Sequence, residues 1–315
     1  MPHILLVSYP RSASNLLVQM LNLDEQPAVV KDTKRGYHFM PLAMLAMEQG
    51  FWEKPLSQWS ADKKERLRQA QLEGFEALEK TRAAADGTGT MAFAKEHSVL
   101  LLDPGVMNEY TFGEKAERWQ VDDGEKQGED NVTMLSDAYL SQWRLVFLIR
   151  HPAMSAASLY RVTADAVWQN NVDKASKLNY MRNSNRLAWT RKLYDLAKEL
   201  NQDPLVIDAD DVISEPDVVK KFAEKLGMDP TLVKTEWEPT SEEELQKKTP
   251  RAQRMLSTLL ASSGLRRDKL AGDVDIAAEA AKWRDEFGEG AKDIEAYVRE
   301  SMPDYEYMRE RRLLA

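Results

Sequence analysis

Apolar residues along this chain come in two patterns, short unbroken runs and longer stripes at helical spacing. Ile4, Leu5, Leu6 and Val7, followed by Ser8 and Tyr9, form a run without polar alternation, which predicts a central parallel strand covered on both faces. Leu16, Leu17, Met20 and Leu21 then recur at helical spacing, so a helix is predicted from about Ser14, capped by Ser14 or Asn15. Strand, tight loop and helix make the opening unit of an α/β domain. Residues 38–86 are rich in Ala, Leu, Met, Glu, Lys and Gln and read as helical with a break near Pro55. Within them KKERLRQAQLEGFEALEKTRAAA predicts one long amphipathic helix. DGTGT predicts a turn, MAFAKEH a second strand ending at His97, and VDDGEKQGEDN an exposed loop.

RLVFLIRHP at 144–152 has the features of a fully buried strand, with Pro152 positioned to open a helix through Ser158 and Tyr160. A helix over 183–200, a strand PLVIDADD and a helix from Glu215 to Leu226, ended by Gly227, follow. Beyond Asp229 the pattern is helix and loop. The order predicts an α/β, P-loop-like three-layer fold: a central, mainly parallel sheet flanked by helices, with a helical C-terminal third. A single domain over 1–315 is expected, with the helical extension from about 230; no linker or internal repeat interrupts it.

Composition narrows the function. The 315 residues, 43% hydrophobic and 30% charged, read as a soluble globular protein. A net charge of −9 excludes a general nucleic-acid binder, because no basic footprint is available, yet leaves room for an anionic cofactor held by a few arginines. With no cysteine there are no disulfides, thiolate metal sites or cysteine nucleophiles. The four histidines, His3, His38, His97 and His151, form no zinc motif, so no metal is expected. No apolar stretch reaches the ~20 residues of a membrane span, and the run at the N-terminus is too short for a signal peptide. A cytoplasmic protein with no membrane partner and a small-molecule substrate is expected.

Three clusters carry candidate chemistry. YPRSASN follows the first strand where a Walker A loop would stand, but without that loop's glycine and lysine. Its Arg11 offers a permanent, planar charge, Ser12, Ser14 and Asn15 offer donors, and the helix start offers oriented N–H groups. Taken alone it reads as a phosphate cradle or as an ordinary turn with a solvent-facing arginine. Arg150 closes the buried strand at its C-terminal end, the edge where open α/β sheets bind ligands, and Ser158 lies eight residues further on. In FAKEHS, strand alternation puts Lys95 and His97 on one face and Glu96 on the other. His151 reads as a structural hydrogen-bonder and His38 as a packed residue.

Together these segments resemble the sulfotransferase family, and particularly sulfotransferase-like P-loop proteins of fungi in which an Arg-x-Ala-Ser-Asn loop and an FLIRHP strand recur. The resemblance covers roughly residues 1–230. It implies a donor, 3′-phosphoadenosine 5′-phosphosulfate (PAPS), whose 5′-phosphosulfate is held by Arg11, Ser12, Ala13, Ser14 and Asn15. It implies that Arg150 and Ser158 hold the 3′-phosphate, and that PLVIDADDVISEPDVVKKFAEKLGM forms the family's later strand and helix. Arg267, Gly272 and Asp273 match the spacing of a motif closing over the 3′-phosphate, with Lys269 in place of its central glycine. The implied reaction moves a sulfuryl group from PAPS to a hydroxyl or amine of a small metabolite. In it His97 is the base, with Glu96 competing, and Lys95 and Arg11 assist at the sulfuryl and phosphate oxygens. VWQNNVDKASKLNYMRNSNRLAW falls where the family binds its acceptor.

Three positions depart from the family pattern. Arg11 replaces a lysine, Asn15 lacks a hydroxyl, and Ala13 stands where glycine is usual, so that it must hold φ < 0 or bear strain. Two alternatives remain beside the transferase. One is an altered P-loop protein that binds an adenosine nucleotide as a regulatory or binding module. The other is a metabolite kinase, which predicts a lysine-bearing loop and magnesium ligands not evident in the sequence.

Overall fold

The structure is a computed structural model of the full chain, in which residues 2–31, 33–122, 127–163 and 174–315 are described. Its centre is a four-stranded, all-parallel sheet in the order β2-β1-β3-β4, built from β1 (His3–Ser8), β2 (Phe93–His97), β3 (Trp143–Ile149) and β4 (Leu205–Asp208). β1 pairs with β2 in the register Leu6↔Lys95 and Ser8↔His97, and with β3 in the register His3↔Trp143 and Val7↔Phe147. Every residue of β1 and β2 is buried, as expected of parallel strands covered on both faces. The chain forms two compact units: Met1–Pro10, Ala28–Phe147 and Asp173–Leu205 make the first, and Arg11–Pro27, Leu148–Val172 and Val206–Ala315 the second.

In the first unit, helices Ala61–Thr88 and Ser98–Leu101 pack against β2. The longer is Ala61–Thr88, begun by Ser60, whose side chain accepts from the Lys63 N–H, and ended by Gly89 at φ 67°. It therefore runs through Asp86, Gly87 and Thr88, which the sequence assigns to a turn. The stretch around 121–131 is also more than an exposed loop. Residues 123–126 lie outside the described set, but Asn131 is fully buried, and Asp122 Oδ2 accepts from the N–H and hydroxyl of Ser136. A short helix, Ser98–Leu101, begins directly after His97. Helices Lys174–Ser184 and Leu187–Glu199 break at Asn185 and Arg186, where the sequence suggests one helix over 183–200.

In the second unit, helix Ser14–Leu21 follows the loop after β1, and helix Pro152–Thr163 starts at the proline after β3. Ala153, Ala156 and Ala157 on the latter pack against Trp283 of helix Ile276–Phe287 and against Ile294 and Val298 of helix Gly290–Arg309, forming one core. β4 is shorter than PLVIDADD suggests, because Asp208 accepts from the Asp210 N–H and starts helix Ala209–Ser214, which contains Asp210 and Asp211. The chain's end returns to β4 as an isolated parallel bridge, Val206↔Arg312. No helix among the described residues is long and apolar enough to cross a membrane.

Candidate functional site

The loop after β1 belongs to the second unit, and its backbone is unusual. Arg11 and Ala13 both take left-handed conformations, at φ 69° and 68°. For residues with a Cβ this costs roughly 1–2 kcal/mol each, so Ala13 bears the strain that the sequence leaves as one of two outcomes. Helix Ser14–Leu21 has Ala13 at its N-cap position, whose methyl group can accept no hydrogen bond, and not Ser14 or Asn15 as the pattern suggests. Ser12 is 0% exposed, and its hydroxyl makes no hydrogen bond to any described residue. Left-handed residues in close succession gather N–H groups into a concavity that suits an anion.

Three of the sequence's candidates meet here. Arg11 donates through Nε to Ser158 Oγ at 2.9 Å and through Nη1 to the Met255 carbonyl. Arg150, 9% exposed, donates through Nη1 to the Arg11 carbonyl at 3.0 Å and through Nη2 to the Lys269 carbonyl at 2.9 Å. The turn carrying Lys269 is anchored in turn by Asp210, whose carboxylate accepts from the N–H groups of Ala271 and Gly272. Lys269 acts through its carbonyl, a group any residue supplies, so a lysine in place of glycine leaves this contact intact. Arg267, in the same turn, is exposed. Two guanidiniums, a buried hydroxyl with no partner among the described residues and a helix start without a side-chain cap are a donor set that fits phosphate or sulfate oxygens.

Lys95 and His97 belong to the first unit. Both lie at the C-terminal end of β2, buried at 4% and 8% exposure. His97 Nδ1 is hydrogen-bonded to Ser8 Oγ at 3.0 Å, and the Ser8 hydroxyl donates to the Glu96 carbonyl at 3.4 Å. Where Nδ1–H donates to the serine oxygen, a neutral His97 carries its lone pair on Nε2. Burial pushes the Lys95 ammonium down to about 8, against the opposing charge of Glu96.

Glu96 points the other way, fully buried, and its Oε1 accepts from the His38 backbone N–H while lying 3.0 Å from His38 Nδ1. His38 Nε2 lies 3.3 Å from Thr81 Oγ1, so His38 is packed, as the sequence suggests, but held by polar contacts as well. His151 Nδ1 accepts from the Ala153 N–H, a structural hydrogen bond at the start of helix Pro152–Thr163. Of the acceptor stretch, residues 167–173 lie outside the described set.

Ser8, Gly36 and Tyr37 are absent from the sequence-based candidates. Gly36 carried a signal: a glycine between Arg35 and Tyr37 marks a close backbone approach, and a Cβ there would lie 2.2 Å from the Lys95 carbonyl oxygen. Ser8 and Tyr37 gave none. No group of three or more metal-ligating side chains occurs among the described residues.

An all-parallel sheet flanked by helices defines an α/β protein. No protein-family model matches the chain. It is 34% identical over 328 residues to sulfotransferase ppzF of Metarhizium rileyi (strain RCEF 4871), with 98% of this chain and 96% of that protein covered. It is 35% identical over 330 residues to sulfotransferase ppzF of Metarhizium majus (strain ARSEF 297), with the same coverage. The chain belongs to the sulfotransferase family of these fungal proteins. Among solved structures, the sulfotransferase domain from the curacin biosynthetic pathway covers 91% of this chain and 97% of its own, at a TM-score of 0.41 and 11% identity. That likeness is too distant to bear on the argument.

Proposed function

We propose that this sulfotransferase is a cytoplasmic enzyme that takes its sulfuryl group from PAPS and delivers it to a hydroxyl or amine of a small metabolite. The observation that carries the reading is the strained loop at Arg11–Ala13, cross-braced by Ser158 and Arg150. PAPS brings the transferable group and a bisphosphate leaving group. Arg11, the Ser12 hydroxyl and the first N–H groups of helix Ser14–Leu21 hold the 5′-phosphate oxygens, where charge grows as the bond to sulfur breaks. Donors fixed before the reaction are worth most there, and loss of one typically costs about 10²-fold or more in turnover. Arg150 and Ser158 hold the 3′-phosphate, with Ala13, Ser14 and Asn15 completing the loop and Arg267 contributing charge from its exposed turn.

His97 acts as general base through Nε2, the tautomer that the Ser8 hydroxyl supports, removing the acceptor's proton as the new oxygen–sulfur or nitrogen–sulfur bond forms. Lys95 stabilises the sulfuryl oxygens. Glu96 is engaged with His38, which favours His97 over it as the base.

Thermal-shift or calorimetric titration tests the donor. Stabilisation by 3′,5′-adenosine bisphosphate over ATP with magnesium is expected; preference for ATP, or no response to millimolar bisphosphate, would overturn the assignment. Arg150→Ala should weaken bisphosphate binding far more than 5′-AMP binding. His97→Ala should lose turnover, by about 10²-fold or more for a general base, while keeping its affinity for the bisphosphate.

A further inference from the structure

Tyr37 takes a left-handed conformation at φ 57°, unusual for a bulky residue, and its neighbours hold it there from both sides. Lys95 donates its N–H to the Arg35 carbonyl at 3.0 Å, and Tyr37 donates its N–H to the Lys95 carbonyl at 2.8 Å. Between them Gly36 lies so close to the Lys95 carbonyl that no other residue fits. On the far side His38 is fastened to Glu96 through its backbone N–H and its ring. The segment Arg35–His38 is thus sewn along the end of β2. The Tyr37 ring it presents lies 4.3 Å from Lys95 Nζ and 4.9 Å from the His97 ring, tilted by 58°. One aromatic ring lies against both residues assigned to the chemistry.

We propose that Tyr37 is a positioning residue that fixes the Lys95 ammonium and the His97 imidazole relative to one another and screens Lys95 from water. For the reaction, this rests on the roles given above to Lys95 and His97. A π-face holds an ammonium by electrostatic attraction, and the same ring limits the rotamers of a long, flexible lysine. Backbone strain persists only where the surroundings over-determine it, and it gathers at functional sites. The ionisable groups around Lys95 include Glu96 and His97 on its own strand, and Arg35, Tyr37 and His38 on the sewn segment. The residue paired with it on β1 is Leu6, and helix Ser98–Leu101 is uncharged.

Two variants separate the ring from the backbone. Tyr37→Asn removes the ring, and asparagine accepts the left-handed conformation, so the segment should stay folded; Tyr37→Phe keeps the ring. Steady-state kinetics should show kcat at least tenfold lower in Tyr37→Asn with the donor KM within about twofold, and within about threefold of wild type in Tyr37→Phe. With 13C-labelled lysine, and the Lys95 signal assigned by its loss in Lys95→Met, the Lys95 titration midpoint should rise toward the ordinary lysine value of about 10 in Tyr37→Asn, because water admitted to the ammonium outweighs the lost π attraction, but not in Tyr37→Phe. Should Tyr37→Asn fail to fold, Tyr37→Gly is the second ring-less variant. A folded, ring-less protein with unchanged kcat and an unmoved midpoint overturns the inference. A moved midpoint in a protein whose wild type transfers no sulfuryl group supports the ring's hold on Lys95 and defeats the functional reading instead.

Discussion

Arg11 and Ser158, 147 residues apart, are joined by a 2.9 Å hydrogen bond from the guanidinium Nε to the serine hydroxyl. The bond ties the strained loop to helix Pro152–Thr163, so the loop's shape depends on a residue far along the chain. A hydrogen bond to a charged group contributes about 1.5–3 kcal/mol, and this one is partly buried. A double-mutant cycle on Arg11→Ala and Ser158→Ala, read by urea unfolding, should give a coupling energy of about 1 kcal/mol or more. Additive losses would mean that the bond is not held in solution. Arg11→Lys should recover only part of the turnover lost in Arg11→Ala, because an ammonium lacks the planar fork.

Ala13 holds φ 68°, where an L residue is strained and glycine is not. Ala13→Gly should therefore raise the unfolding free energy by about 1 kcal/mol, the relief of strain outweighing glycine's greater freedom in the unfolded chain. The denaturant midpoint checks this, and a lower midpoint would argue against a left-handed Ala13.

Lys95 is buried, and burial lowers its folded pKa to about 8, well below that of an unfolded lysine. Between about 8 and 10.5 the unfolded state binds the extra proton, so stability rises with pH through that window. Below it the full cost of a buried ammonium is present, on the order of 3 kcal/mol. Lys95→Met should be catalytically impaired yet melt higher than wild type at pH 7, with the gain vanishing toward pH 10. A lower melting temperature at pH 7 would show that the ammonium's contacts outweigh its burial.

Asp208 presents the opposite sign. Burial raises its folded pKa to about 6, against the Asp210 N–H and the Tyr305 hydroxyl, which donate to it. The folded state keeps a proton that the unfolded state has lost, so this group's contribution to stability falls as pH rises from about 4 to 6. Asp208→Asn retains an oxygen for the Asp210 N–H and cannot ionise. Its stability relative to wild type should climb by about 2–3 kcal/mol over that interval. A flat difference from pH 4 to 7 would show that Asp208 is not buried as an acid.

What the sequence determined was local or periodic. The unbroken runs at Ile4–Val7 and Val146–Ile149 marked covered strands, and Pro152 marked the start of a helix. Strand alternation put Lys95 and His97 on one face, where both meet the Tyr37 ring, and Glu96 on the other, where it meets His38. Helix ends were less legible. Gly87 in the last turn of helix Ala61–Thr88 looks like a turn residue in sequence, and Asp208, written as strand, spends its carboxylate on a helix cap.

The tertiary structure alone decided how the candidates are held. Ser8 reaches His97 across 89 residues and His38 reaches Glu96 across 58, because parallel pairing sets side by side strands that the chain visits far apart. No periodicity encodes such a meeting, and a serine ending a strand looks the same whether or not an imidazole lies beside it. Ala13's left-handed backbone is likewise invisible in sequence, since nothing in an alanine marks a positive φ as glycine or asparagine would. Its conformation is set by Arg150 and Ser158 gripping Arg11 from elements more than a hundred residues away.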